Sequence, residues 1–498
     1  MTPAVANTLK GPANPTGSAI EFRGNDRLLL GIIMGVLTFW LFAQTTLNVA
    51  PDMQKDLGLD TSLMNIAVAI TALFSGIFIV FIGGLADRIG RVKIVTVGFV
   101  LSIIGSLLIA FAPGGPVALY FLLPGRALQG LSGACIMPAS LALVKTFWDG
   151  EARQRAVSMW SIGSWGGSGV CSLFGGLVAQ NFGWRWIFIA SVAVALLGMA
   201  LMHGTPESKA EGQSSSKFDV WGVLTFMVAM IALQIVVTQG NTLGWTSPST
   251  LSLSAIALVF GWLFFRIESQ IPYAFVNFKL FHNPTYTGAT ISNFMLNGSA
   301  GTLLVSLQLV QLGGTMTAQQ AGTLTLGYAI AIIAFIRVGE KLLKRFGARK
   351  PMIQGCLITG FAIILLMPSN LTLGRYEIFA VVGYTLYGVG LAFYATPSTD
   401  AALSSLPADQ VGAGAGIYKM ASSLGAAFGV AISAAIFTML SANPAEVNWL
   451  EGVITFMGRQ DNLAIRESAI IALAFNLFMV LVAVMAIMLT VPKGSKTA

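Results

Sequence analysis

Charge is scarce in this chain. Only 10% of its 498 residues are Asp, Glu, Lys or Arg, while 55% are hydrophobic, so no water-soluble core could hide its apolar surface and a polytopic membrane protein is implied. Histidine is scarcer still: His203 and His282 both fall at predicted helix ends and cannot assemble a zinc or haem site. The three cysteines, Cys135, Cys171 and Cys356, sit inside apolar runs without paired spacing. That excludes a disulfide framework or a metal cluster and leaves them as small packing residues. No Gly-x4-Gly-Lys-Ser/Thr loop occurs and no soluble stretch is long enough to hold one, which excludes an ATP-driven pump. No acid can be placed near the middle of an apolar run, and no group of His, Cys or carboxylates converges at depth, which argues against a membrane enzyme. Ahead of the first apolar run, residues 1–27 carry Lys10, Arg23 and Arg27 without a small-residue cleavage site, and read as a tail followed by an uncleaved helix.

What the chain does have is long apolar runs, at about 28–49, 62–85, 94–112, 117–146, 155–180, 186–203, 219–239, 250–267, 286–312, 318–338, 352–368, 376–398, 412–441 and 467–491. About 20 apolar residues suffice to cross a hydrocarbon core as a helix, so the expectation is an all-α protein of fourteen spans. Basic turns at Arg88 to Lys93, Lys145 to Arg155, Lys209 to Lys217 and Lys341 to Lys350, with Lys493 and Lys496 at the end, place both termini in the cytoplasm. The net charge of +8 is then the positive-inside bias, and nucleic acid is not an expected partner.

The turn Gly83-Gly-Leu-Ala-Asp-Arg-Ile-Gly-Arg-Val-Lys93 links the second and third runs with three cations and one acid. Sliding the second half back by about 257 residues lays Leu343 to Lys350 over Ala86 to Lys93. One residue further, Gly383-Tyr384-Thr385-Leu386-Tyr387-Gly388 lies over Gly125-Arg126-Ala127-Leu128-Gln129-Gly130, and Tyr418, Ser422 and Gly425 over Trp160, Ser164 and Gly167. Such a repeat predicts two pseudo-symmetric six-helix bundles plus two extra helices. The expected organisation is a tail (1–27), an N-terminal half (28–205), a linker with two added helices (206–284), a C-terminal half (285–491) and a tail (492–498). Parallel halves with a pathway between them are the architecture of secondary transporters.

At these residues the chain resembles the major facilitator superfamily, within it the fourteen-span drug:proton antiporters and their quinolone and multidrug efflux members. Gly83 to Arg91 matches that family's loop motif, Leu122 to Gly130 is similar to its helix-4 motif, and Gly183-Trp-Arg-Trp-Ile-Phe188 to the opening of its sixth helix. The stretches Ile162 to Ser172 and Ala395 to Asp400 are similar to the quinolone exporters. Cys171-Ser172 stands where the branch usually has Gly-Pro, and Phe42 to Asn48 lacks its usual helix-1 acid. The resemblance implies proton-coupled export of small amphipathic drugs from the cell membrane by a monomer, without a cofactor.

Candidate residues follow. Gly83, Asp87, Arg88, Gly90 and Arg91 form a gating loop, Asp87 being expected to sit against the positive N-terminal end of a helix beginning near Gly412, approached through Gly414 and Gly416. Arg126 lies roughly 14 Å deep at 1.5 Å per residue; a charge there is functional or paired, with Gln129 on the same face. Carbonyl bonds and a part in proton coupling or substrate contact both remain open for it. Lys419 and Asp400 are expected either to pair as a second gate or to act on substrate or proton. Gly130, Gly163, Gly167, Gly175 and Gly176 supply close helix packing. Trp40, Tyr384, Tyr387 and Tyr418, with the amides Gln44, Asn48, Asn293 and Asn297, are candidates for the cavity lining. With Arg126 and Lys419 at depth and no acid, the pocket suits zwitterions or anions. An uptake carrier, an exporter of a natural metabolite and a membrane sensor remain alternatives.

Overall fold

A computed structural model of the chain describes residues 22–209, 219–271, 274, 276–407 and 411–493. Most of the expected N-terminal tail, the linker around Lys217 and the end with Lys496 lie outside the described residues. Among the described residues every regular element is a helix. Fourteen segments run back and forth: α1 (Asp26–Leu57), α2 (Thr61–Ile89), α3 (Arg91–Ala110), α4 (Ala118–Phe147), α5 (150–182), α6 (Arg185–Met202), α7 (Val220–Leu243), α8 (Pro248–Gln270), α9 (284–313), α10 (Ala318–Phe346), α11 (Arg349–Leu366), α12 (Leu373–Ser404), α13 (Val411–Ala442) and α14 (Leu463–Thr490). Thirteen contain a helix long and apolar enough to cross a membrane, making this a multi-pass membrane protein. α9 is the other, broken into Pro284–Gly298, Gly301–Gln308 and a π-helical turn, Leu309–Gly313.

Local chemistry explains the boundaries. Asn25, Asp60 and Asn283 accept backbone N–H groups at the starts of α1, α2 and α9, and Thr317 with Gln320 forms a reciprocal capping box on α10. Irregular turns also occur inside α1, π-helical at Thr38–Phe42 and 3₁₀ at Ala43–Thr45, and inside α5 at Ile162–Gly166. The end carrying Ile89 and Arg91 is called here the motif end, and the opposite one the far end. Arg27 donates to the carbonyls of Ala200 and His203, and Gly24 N–H to Phe147 O. Arg349 donates to Met488 O and Val491 O. Both described ends of the chain therefore lie at the motif end.

Packing repeats with the sequence. In the first half α4 packs on α2 and α3; in the second α12 packs on α10 and α11. Gly130 of α4 is pressed against Thr71 O, and Gly388 of α12 against Tyr328 O. These four residues correspond under the sequence offset, so the glycines are required by backbone contact at equivalent points of both halves. The halves meet along two seams, α2 on α13 and α5 on α10. α7 lies against both α2 and α13, while α8 packs chiefly on α7 and leaves Leu251, Leu258, Trp262 and Phe265 exposed. All three cysteines are buried and unbridged.

Candidate functional site

The motif turn is built on Gly90, whose φ of 134° lies where a side chain is strained. Asp87 pairs with Arg91 at 2.8 Å across one helical turn's spacing. Arg91 also donates to Thr146 Oγ1 at 2.7 Å and Ser208 Oγ at 3.2 Å, and Arg88 is likewise engaged. Glu207 closes the arrangement: its carboxylate accepts the N–H groups of Val92 and Lys93, a negative group on the positive end of α3. The turn thus ties α2, α3, α4 and the exit of α6 together. Gly83 lies 3.4 Å from Pro138 when given a Cβ. Val80 of α2 lies against Gly416 of α13. Asp87 lies seven residues beyond Val80 towards the motif end, and residues 408–410 ahead of α13, where its expected contact would fall, lie outside the described residues.

Arg126 is 1% exposed. Its Nε donates to Ala67 O at 2.9 Å, Nη1 to Ala43 O and to Gln129 Oε1 at 2.7 Å each, and Nη2 to Val68 O at 3.4 Å. Gln129 in turn donates to Ser106 Oγ at 3.2 Å. The distorted turn of α1 offers Ala43 O to side chains, since Thr46 Oγ1 also bonds it. The guanidinium therefore braces α4 against α1 and α2.

In the second half the expected cavity tyrosines are braces as well, which corrects their assignment as lining. Tyr384 and Tyr387 are buried; Tyr384 donates to Ser306 Oγ at 2.7 Å, and Tyr387 bonds Ser299 Oγ at 2.9 Å. Tyr418 is buried and bonded to Ser398 at 2.6 Å. A phenol carries one polar atom, and burial with a satisfied hydroxyl is its stable solution. That contact also explains why Lys419 and Asp400 do not pair among the described residues, contrary to the gate expected of them. Successive helix residues turn by about 100°, so facing Tyr418 to Ser398 swings Lys419 and Asp400 away, and both are exposed.

Asn48 is likewise not a lining residue but part of a seal. It is fully buried and donates to Ser172 O at 2.7 Å and to Ala318 O at 3.0 Å, joining the halves at the far end. Gln311, on the π-turn of α9, donates to Asn48 O at 2.9 Å and Oδ1 at 3.1 Å. Gly176 is pressed against Ala318 O and Gly322 against Ser172 O. Towards the motif end, Gly169 meets Ala329 and Gly166 meets Ile333; beyond them the Gly150–Ser161 segment packs on α1 and α4, and Ala334, Phe335 and Arg337 of α10 are exposed. Gly163, Gly167 and Gly175 face α1, so the helix-5 ridge divides between packing within its half and approach to the other. Asn293 is buried and donates to Tyr418 O; Asn297 donates to Asn293. Trp40 and Gln44 are partly exposed.

Glu207 and Gln311 carry no periodic or motif signal in the sequence. The only hint was an acid just after the sixth span for the first, and an amide near the end of the ninth for the second.

The family model described as Major Facilitator Superfamily matches residues 28–281 and 284–497. The chain is 46% identical over 480 residues to the quinolone resistance protein NorB of Staphylococcus aureus strain MRSA252, covering 96% of this chain and 98% of that protein; NorB of strain JH9 matches to the same extent. A crystal structure of peptide transporter POT in complex with sulfate superposes with TM-score 0.64 at 17% identity, over 96% of this chain and 98% of that one. A D-xylose-proton symporter does so with TM-score 0.61 at 16% identity, over 90% and 96%. A sequence match over nearly the whole chain, carried on a shared fold, settles the family: this chain belongs to the Major Facilitator Superfamily.

Proposed function

We propose that the protein exports small amphipathic drugs, fluoroquinolone-like zwitterions among them, in exchange for protons across the cell membrane. The observation that carries this reading is the 46% identity along almost all of both chains to a quinolone resistance protein. The geometry supports it: two halves knit together at the far end and diverging between α5 and α10 at the other are what alternating access about a central site requires. The motif end is cytoplasmic in this reading, with both termini there, and the halves are 28–205 and 285–491 with the linker 206–284 between the two tails. The protein works as a monomer and needs no cofactor beyond the proton gradient.

Roles follow for the residues. Asp87, Arg88 and Arg91, on Gly83 and Gly90, form a latch that engages the start of α13 in one state. Arg126 and Gln129 hold α1 in its distorted form and set a positive field at depth, which favours a substrate carboxylate, and the exposed Lys419 meets the same group. Asp400 guards the exit of α12, Trp40 and Gln44 face the drug, and the glycines let α5 rock on α1 and α10. Proteoliposomes with an imposed pH gradient, followed for norfloxacin, ethidium and tetracycline movement together with proton flux, test the reading. Gradient-dependent drug movement with proton counterflow is expected. Gradient-independent movement would make it a uniporter, and no drug movement would leave a natural metabolite as cargo.

A further inference from the structure

The apolar run that becomes α14 reads as starting at Glu467, which would put that acid at the membrane border. The helix instead begins at Leu463, so Glu467 lies inside it and is 1% exposed. Its Oε1 meets no hydrogen-bond donor among the described residues. The adjacent cation is committed elsewhere: Arg466 donates to Ser369 O at 2.7 Å, Arg459 O at 2.8 Å, Leu371 O at 3.0 Å and Met457 O at 2.8 Å, and points about 100° away around the helix.

The helices packed against α14 offer no counter-ion at this level. α9 carries no charged residue and only Tyr286 as a titratable group, near its motif end. α13 has none beyond Tyr418 and Lys419, both in its motif half, and α11 has Cys356 midway with Arg349 and Lys350 at the motif end. The short segment before α14 adds Glu446 and Glu451, of like sign, and Arg459 and Asp461 are bound to each other. A carboxylate held there without donor or cation would cost several kcal/mol, whereas a carboxylic acid would not.

The position is coupled to the far-end seal. Asn462 donates to Gly313 O, and Gly313 backs onto Ile465 and Arg466; Gln311, two residues earlier on the same π-turn, holds Asn48. A cavity of about 200 Å³, lined by Gly313, Gly314, Asn462 and Arg466 among others, lies beside this junction at the start of α14.

We infer that Glu467 is a proton-binding site of the transport cycle: a proton from far-side water converts its carboxylate to the acid that this buried position favours, and returns to water when α14 shifts on α9. The inference rests on the drug:proton exchange proposed above. The test is the full-length protein in proteoliposomes containing pyranine, with Glu467→Gln and Glu467→Asp beside the wild type. Glu467→Gln is expected to lose gradient-driven norfloxacin movement and proton flux by about tenfold or more, while norfloxacin counterflow without a gradient survives. Glu467→Asp should keep coupling with a displaced pH profile. Wild-type coupling in Glu467→Gln would overturn the inference, as would loss of counterflow in both variants, which would mark the residue as structural. If the wild type exchanges norfloxacin without moving protons, the parent reading falls and this one with it.

Discussion

On α4 the positions one turn apart are Arg126 and Gln129; at the corresponding places on α12 stand Tyr384 and Tyr387. Each pair reaches a helix that has lost its regular ladder. Arg126 grips α1 at Ala43, inside its 3₁₀ turn, and the tyrosines grip α9 at Ser299, on the break between its first two pieces, and at Ser306, inside the second piece shortly before the π-turn. The comparison separates two requirements that a single half would confound. Holding a deformable helix needs only a rigid side chain with a satisfied polar tip. At these two equivalent positions a fixed positive charge is an addition of the N-terminal half, so the two braces differ electrostatically although they act alike mechanically.

The largest effect that could break this comparison is Arg126→Ala. It strips the donor from three carbonyls and Gln129 and leaves a void, an expected cost of about 3–5 kcal/mol with loss of transport, read by thermal unfolding in detergent. Equal stability of Arg126→Ala and the wild type would show that the guanidinium is not a brace. Gly130→Ala and Gly388→Ala come next, each about 1–3 kcal/mol because a methyl meets backbone rather than a pliable side chain. The two should match, and a large difference in unfolding midpoint would mean that the halves are not mechanically equivalent. Tyr384→Phe removes one hydroxyl bond and keeps the ring, so about 1 kcal/mol is expected with drug movement retained. Abolished transport at unchanged stability would give that phenol more than a bracing role. Smallest is Gly83→Ala, where the new methyl makes an ordinary contact with Pro138; a change within about 0.5 kcal/mol is expected in the same melts.

Much of this was legible beforehand. Apolar runs long enough to span a bilayer have few alternatives, so the spans followed directly, and the offset aligned Gly130 with Gly388, two glycines that the structure presses against backbone. The same offset laid Tyr384 over Arg126, but one sequence cannot tell a bracing phenol from a lining one, since both are aromatic residues at depth. Asp87 and Arg91 stand at i and i+4, a spacing that favours their pairing. The partners of Asn48 were not legible, because an amide shows no preference for a partner some 263 residues away. Glu467 was hidden by the fading of hydropathy at a helix start, where the border of a run and the border of a helix differ by four residues.

The far-end seal is made from Asn48, Gln311 and the carbonyls of Ser172 and Ala318. None of these groups titrates between strong acid and strong base, and none carries a charge that dissolved ions could screen. An acidified or saline medium at the far end therefore meets the same closed door as a neutral, dilute one. Sensitivity to the medium on that side has to enter through a neighbouring ionisable group, and the seal itself works as a passive spring of fixed strength.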